Sequence, residues 1–255
     1  MNVKSWLKRA KTRINPLDAE LILLQVLKEK DRSFLVANDE RELTEEEAKK
    51  AEEFILRREK GEPLAYILGF REFYGRKFVV SPDTLIPRPE SEEIVEIVKK
   101  IGPKKILDVG TGSGCLAVSL KLEIPEAEVL ASDISEKALE IAKKNAEKFR
   151  AEVHFVQSDL MEKIDGEFDT IVANLPYVDR NWEWISESLK FEPETALFAE
   201  KEGLELIFKL LEQAKKRCKN LVLEADTCQH EKIIAKAEEN GYRFVEKSGF
   251  ILWFA

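Results

Sequence analysis

The spacing of apolar residues changes period as the chain proceeds. Up to about residue 60 it is helical. Asn15-Pro16 reads as an N-cap followed by proline at the first helical position, and Ala19, Leu23, Val26 and Leu27 then share one face. A second helix is predicted from Thr44, where Glu47 completes a capping box, to about Arg58, with Ala48, Ala51 and Ile55 facing inward. Short helices near residues 3–12 and 31–37 complete a small bundle that carries no evident chemistry. Such a piece packs against, or recruits a partner to, a domain that does. The charge run Arg41 to Lys60 reads as a solvated helix face, with partner contact as the other reading.

From Gly61 the pattern shortens. Aromatic and β-branched residues on either side of Gly75 (Phe70, Phe73, Phe78, Val79, Val80) predict a hairpin or two short strands. In Leu85-Ile86-Pro87-Arg88-Pro89-Glu90 two prolines stiffen a loop that displays Arg88 and Glu90.

Thereafter strands and helices alternate. Strands are predicted at Lys104 to Val109, Val129 to Asp133, Glu152 to Gln157, Phe168 to Ala173, Asn220 to Ala225, Arg243 to Lys247 and Phe250 to Phe254. Helices are predicted at Cys115 to Leu122, from Ser135 to about Lys148, at Gly203 to Cys218 and at Gln229 to Asn240, and Lys190 to Phe198 reads as a loop near the site. The alternation implies an α/β fold with a doubly wound, mostly parallel sheet, and the last two strands lie close enough to form a hairpin with an antiparallel edge.

Composition narrows the function. At 255 residues there is room for one large domain, or one large and one small. No apolar run approaches the ~18 residues that span a bilayer, and the first residues lack a signal-peptide core, so a cytoplasmic protein is expected. Cys115, Cys218 and Cys228 have neither metal nor redox spacing and are read as reduced thiols; His154 and His230 are the only histidines, and neither sits in a metal motif. No metal site is expected, and a hydrolase or zinc enzyme is disfavoured. The net charge of -8 argues against affinity built on nucleic-acid phosphates. Charged residues reach 35%, many of them Lys and Glu, a bias of heat-adapted proteins.

The candidate chemistry lies where the strands end. Asp108-Val109-Gly110-Thr111-Gly112-Ser113-Gly114 joins a strand to a helix, and its alternate glycines let backbone approach a ligand. The dinucleotide pattern needs glycine at 115, which is cysteine, so S-adenosylmethionine suits the loop better than NAD. Asp133 closes the second strand where a carboxylate accepts from a ribose diol, and Asp159-Leu160 after the third offers a carboxylate and an apolar contact to adenine. Asn174-Leu175-Pro176-Tyr177 follows the fourth. Alone it reads as a strand and a proline turn; beside the other strand ends it reads as a clamp for a planar NH2 group.

These features resemble the class I S-adenosylmethionine-dependent methyltransferases and, within them, the release factor glutamine methyltransferases. The resemblance runs through Gly61 to Gly69, Arg71 to Gly75, Leu85 to Glu90, Asp108 to Gly114, the Asn174 tetrapeptide and Glu192 to Leu197, in that order, and so covers nearly the whole chain. It implies a Rossmann-like domain over residues 89–255 with a seven-stranded, mostly parallel sheet whose last strand is antiparallel. A helical substrate-recognition domain over 1–69 and a β-hairpin linker over 70–88 precede it. It also implies S-adenosylmethionine as cofactor, S-adenosylhomocysteine as product, and the glutamine of a Gly-Gly-Gln segment in class 1 peptide chain release factors as substrate. Asp108, Gly110, Thr111, Gly112, Ser113, Gly114, Asp133, Asp159, Leu160 and Asn174 would hold the cofactor. Asn174, Leu175, Pro176 and Tyr177 would hold and activate the amide, aided by Arg88 and Glu90.

In the implied mechanism Asn174 Oδ1 and the carbonyl of residue 175 accept the two hydrogens of the target NH2, while Pro176 holds the turn and Tyr177 packs on the amide face. The departure is Leu175, where the family has proline. Leucine keeps the carbonyl but adds an N–H that needs a partner, and activity is expected to persist. Trp182 and Trp184 are read as packing residues, with substrate contact as the alternative. A monomer is expected, without membrane or stable nucleic-acid partners. Two other functions remain open: an adenine N6-methyltransferase, and a cofactor-binding partner protein that has lost catalysis through Leu175.

Overall fold

The structure, a computed structural model, describes residues 1–183 and 186–255. Trp184 lies outside the described residues. The chain forms two compact units, one of Met1–Gly69 with Glu187–Phe191, the other of Phe70–Ser186 with Glu192–Ala255. No described helix is long and apolar enough to cross a membrane.

The first unit contains α1 (Val3–Ala10), α2 (Pro16–Leu27), α3 (Ser33–Ala37), α4 (Glu45–Glu59) and α5 (Leu64–Leu68). Its three longer helices, α1, α2 and α4, start at side-chain caps. Asn15 accepts from the Leu17 N–H with Pro16 first in the helix, and both halves of the Thr44–Glu47 capping box are made. Trp6, Ile22, Leu23 and Ile55 form the centre of its core, each no more than 1% exposed. Much of the charge between residues 41 and 60 pairs within the unit: Arg41 with Glu47, Arg13 with Glu52 and Glu59, Arg58 with Asp18. Partly exposed pairs of this kind contribute ~0–1 kcal/mol each, against ~1.5–3 kcal/mol for each large apolar side chain buried, so the core decides the bundle's stability. The pattern predicts no helix at Leu64–Leu68, because Leu64-Ala65-Tyr66-Ile67-Leu68 has no charged position to mark an outward face.

In the second unit β1 (Phe70–Phe73) and β2 (Arg76–Val79) pair antiparallel through a tight turn at Tyr74-Gly75. The helix α6 (Glu92–Ile101) follows, then β3 (Lys105–Val109), α7 (Cys115–Glu123), β4 (Glu128–Asp133), α8 (Glu136–Phe149), β5 (His154–Gln157) and β6 (Phe168–Ala173). The single turns α9 (Glu194–Leu197) and α10 (Glu200–Gly203) lead to α11 (Glu205–Ala214), β7 (Cys218–Glu224), α12 (His230–Glu239), β8 (Phe244–Ser248) and β9 (Ile251–Phe254). The seven-stranded sheet has the order β5-β4-β3-β6-β7-β9-β8. β9 runs antiparallel to both neighbours and lies between β7 and β8, so the antiparallel strand is one in from the edge.

Strand residues alternate between two apolar layers. Leu107, Val109, Ile171, Ala173, Leu221 and Leu223 face α11 and α12, while Ile106, Val172 and Val222 face α6 and α7. The sequence pattern passes over α6, whose β-branched run Ile94-Val95-x-Ile97-Val98 reads equally as strand. Its other signals are helical: Glu92 and Glu93 in the first turn, Lys99 and Lys100 in the last. The hairpin belongs to this packing, because Phe73 and Phe78 are buried in the α6–α7 layer. Asn145, fully buried on α8, accepts from Val79 N and donates to the carbonyls of Val79 and Ser113.

The approach to α11 is strained. Lys201, Glu202 and Gly203 all have left-handed backbone, φ 54°, 61° and 80°. Gln229 holds the turn by donating to the carbonyls of Tyr177 and Glu202, each at 2.8 Å. A Cβ at position 203 would lie 1.9 Å from the Tyr177 carbonyl oxygen. Gly203→Ala is therefore expected to cost more than about 3 kcal/mol in denaturant unfolding, from clash and backbone strain together. A loss under 1 kcal/mol would show that the turn is free to move.

Candidate active site

Strand register brings the candidate residues together. Val109 of β3 lies opposite Ser132 of β4 and Ala173 of β6, so Gly110, Asp133 and Asn174 leave the sheet side by side. On the far side of β6, Ala173 lies opposite Leu223, which sets Asn174 beside Glu224. The loop after β3 is pinned to β4 by Gly110 N and Thr111 N, both donating to the Ser132 carbonyl.

A cavity of about 350 Å³ opens at these strand ends. Its wall includes Arg88, the loop Gly110 to Ser113, Asp133, Asp159, Leu160, and Asn174 to Pro176. Four of the sequence-derived candidates lie elsewhere. Asp108 is fully buried beneath the loop, and Gly114 backs onto Ala142 of α8. Glu90 lines a separate acidic groove with Glu92, Glu93 and Glu96. The Tyr177 ring packs on the core layer that faces α11, and its hydroxyl donates to Glu224 Oε1 at 3.2 Å. Trp182 is half-buried in a turn whose N–H bonds to the Asp179 carbonyl.

Each candidate's chemistry follows from its partners. Asp133 accepts from Gly112 N at 2.8 Å and Ser135 N at 2.9 Å, one bond to each oxygen, so a lone pair on each remains for a ligand. Burial raises its pKa, and the backbone donors pull it back. Asp159 is half-exposed and paired with Lys209 at 2.7 Å. Cys115 also lines the cavity, but burial pushes its thiol up to about 12, so it stays a neutral packing group. Gly112 lines the wall, and none of the described residues comes within 4 Å of where its Cβ would be. An open glycine cradle, a carboxylate with spare lone pairs and apolar Leu160 suit a nucleoside with a short charged chain, and S-adenosylmethionine is such a molecule.

Leu175 is buried, and its Cδ2 lies 2.9 Å from the position a Cβ on Gly110 would take. The side chain fills the space beneath the glycine loop, so glycine at 110 and leucine at 175 are matched by packing. Leu160 sits at φ 48°, a strained setting for a leucine that places it on the cavity wall.

Three residues beyond the sequence-derived set complete the surroundings. Glu192, 6% exposed, accepts from Ile86 N at 2.9 Å and from Arg88 at 2.7 Å, which fixes the stiff proline loop. Ser91 receives Asn174 Nδ2 at 2.9 Å and donates to Glu224. Glu224 is 1% exposed; burial raises its pKa, while hydrogen bonds from Ser91, Tyr177 and Asn174 oppose the rise. Its position was signalled, since it is the polar residue closing the apolar run Leu221-Val222-Leu223, as Asn174 closes the one before it.

The Methyltransferase small domain family model matches residues 89–189, and the PrmC N-terminal domain model matches residues 2–69. The chain is 45% identical over 215 residues to the release factor glutamine methyltransferase of Koribacter versatilis, spanning 81% of this chain and 76% of that one. It is 39% identical over 255 residues to the release factor glutamine methyltransferase of Neisseria gonorrhoeae, spanning 96% and 92%. A solved methyltransferase from Pyrococcus furiosus matches at TM-score 0.56 and 21% identity over 80% of this chain and 96% of that chain, a likeness of fold.

Asp108 supplies a test that needs no ligand. Its Oδ2 accepts from Thr111 and Ala117 N while Oδ1 has no partner among the described residues, and burial raises its pKa to about 7. The unfolded chain ionises at the ordinary value of 3.8. The stability this group contributes is thus full below 3.8 and is lost as pH rises through about 7. Asp108→Asn removes that dependence, so its melting temperature relative to wild type is expected to rise by on the order of 5 °C between about pH 5.5 and pH 8.5. A constant difference in circular-dichroism melts would rule the raised pKa out.

Proposed function

This chain belongs to the release factor glutamine methyltransferases and is a methyltransferase, and from that premise we propose that it methylates the side-chain amide nitrogen of the glutamine in the Gly-Gly-Gln segment of class 1 peptide chain release factors, using S-adenosylmethionine. The observation that carries this reading is the meeting of a glycine cradle, Asp133 and the Asn174 clamp in one cavity. The cofactor, when bound, supplies an electrophilic methyl group. We assign its ribose to Asp133, its adenine to Asp159 and Leu160, and its charged chain to the loop from Gly110 to Ser113.

The protein's own contribution is to hold and orient. An amide nitrogen is a poor nucleophile because its lone pair is delocalised into the carbonyl. Asn174 Oδ1 and the Leu175 carbonyl accept the two N–H groups of the target and turn its nitrogen toward the methyl group, by positioning and electrostatics rather than by a strong base. Asn174 is suited to this, because its own nitrogen is committed to Ser91. Leucine at 175 retains the carbonyl the clamp needs. Tyr177 bonds to Glu224 behind the clamp, and Arg88, held by Glu192 on the cavity wall, is the group we assign to substrate contact. We assign release-factor recognition to the helical unit.

Incubation with methyl-labelled S-adenosylmethionine and purified release factor should place label on the glutamine. Label on DNA or ribosomal RNA, with none on release factor, would replace this reading by adenine methylation. Asn174→Ala should lower kcat by roughly 100-fold or more while leaving the cofactor Kd within about threefold by calorimetry. An unchanged kcat would remove Asn174 from the chemistry.

A further inference from the structure

We propose that Glu224, acting through Ser91, is the positioning residue that fixes which way the Asn174 carboxamide faces, and that it thereby makes the site select glutamine over glutamate. The inference rests on the amide-methylating reading above for its substrate, and on hydrogen-bond directions for the rest.

Glu224 is 1% exposed and Ser91 is 2% exposed. Among the described residues, no basic side chain forms an ion pair with Glu224; its oxygens face neutral donors, the hydroxyls of Ser91 and Tyr177 and the carboxamide of Asn174. An ionised carboxylate only accepts, and a serine hydroxyl has a single proton to give. With that proton on Glu224, Ser91 Oγ can only accept from Asn174, and only the carboxamide nitrogen can donate to it. The donor direction therefore runs one way, from Asn174 Nδ2 to Ser91 Oγ to Glu224.

A carboxamide is nearly symmetric in shape, so packing alone does not distinguish its two orientations. In the reversed one Oδ1 would face the lone pairs of Ser91 and the carboxylate, and the NH2 would face the cavity. The carboxylate excludes this. What the cavity receives is Oδ1, an acceptor, which the amide-methylating reading pairs with the Leu175 carbonyl as a second acceptor. Glutamine presents two N–H donors to that pair, whereas ionised glutamate presents only lone pairs and is repelled. Glu224 does not line the cavity and so acts on the substrate only through Asn174, whereas Ser91 does line it.

Glu224→Gln keeps the shape and removes the constraint. A glutamine at 224 can donate to Ser91 Oγ, which frees the serine proton to point at Asn174 Oδ1 and lets the carboxamide turn over. The variant should melt at or above the wild-type temperature, because a buried charge has been removed. Its kcat for release factor should fall by about 30-fold, with the cofactor Kd within about twofold of wild type. Its preference for a Gly-Gly-Gln over a Gly-Gly-Glu peptide, measured as the ratio of their inhibition constants, should fall by about tenfold or more. Ser91→Ala should move both quantities in the same direction. A purely structural role for Glu224 would lower stability and leave the ratio alone, so an unchanged ratio with unchanged kcat overturns the proposal.

The fate of the substrate reading is visible separately. If the wild-type protein methylates no glutamine, that reading fails, and the orientation is tested by NMR. The side-chain 15N–1H pair of Asn174, assigned by its loss in Asn174→Asp, should shift between wild type and Glu224→Gln. An unmoved pair would refute the orienting role whatever the substrate.

Discussion

The site depends on strand register more than on any single side chain. β3 is flanked by β4 and β6 so that Val109, Ser132 and Ala173 lie on one level, and β7 continues that level at Leu223. Because side chains alternate with period two, a slip of one residue would turn Leu107, Ile171 and Leu221 out of one apolar layer into the other. Burial on both faces resists such a slip, and the same register delivers the glycine loop, the carboxylate and the clamp to one edge. Catalytic geometry is in this sense a by-product of core packing.

What the register leaves open, buried polar side chains close. Asn145, Glu192, Glu224 and Gln229 are each no more than 6% exposed, and each holds one of the loops that surround the cavity. Leaving a buried polar group without its partner costs ~1–3 kcal/mol, more than most exposed ion pairs contribute. The numerous charge pairs of the helical unit are thus weaker constraints than four uncharged or singly charged groups beneath the loops. Loops held in this way keep their geometry without regular secondary structure.

The strands, the Thr44–Glu47 capping box and the glycine loop can be read from residues alone, since each is a local signal of period, spacing or turn chemistry. The long-range partners of a residue cannot, even where its own position carries a signal, as that of Glu224 does. Ser91, at the head of α6, and Glu224, at the end of β7, are 133 positions apart, and it is the packing of α6 on β7 that makes one the concern of the other. Tyr177 illustrates the same limit: an aromatic next to a clamp suggests a ring over the substrate, but the ring's direction is set by the apolar layer behind it. Leu175 illustrates it in reverse, for a departure from the family pattern becomes intelligible once its side chain is seen to fill the space that Gly110 leaves. The missed helix α6 is a different matter. Its end charges were visible, and its β-branched apolar run obscured the period.

Asn145 has a bearing on how the molecule can be divided. Everything that would hold cofactor and amide lies after residue 82, yet Val79 supplies two of the three hydrogen bonds of that buried amide, and Phe73 and Phe78 fill the layer beneath it. A fragment cut at the first residue of chemical interest would carry an orphaned carboxamide and two aromatic-sized voids in the apolar layer of α6 and α7. What must be kept dry sets where the chain can be cut, and the hairpin belongs on the side of the sheet.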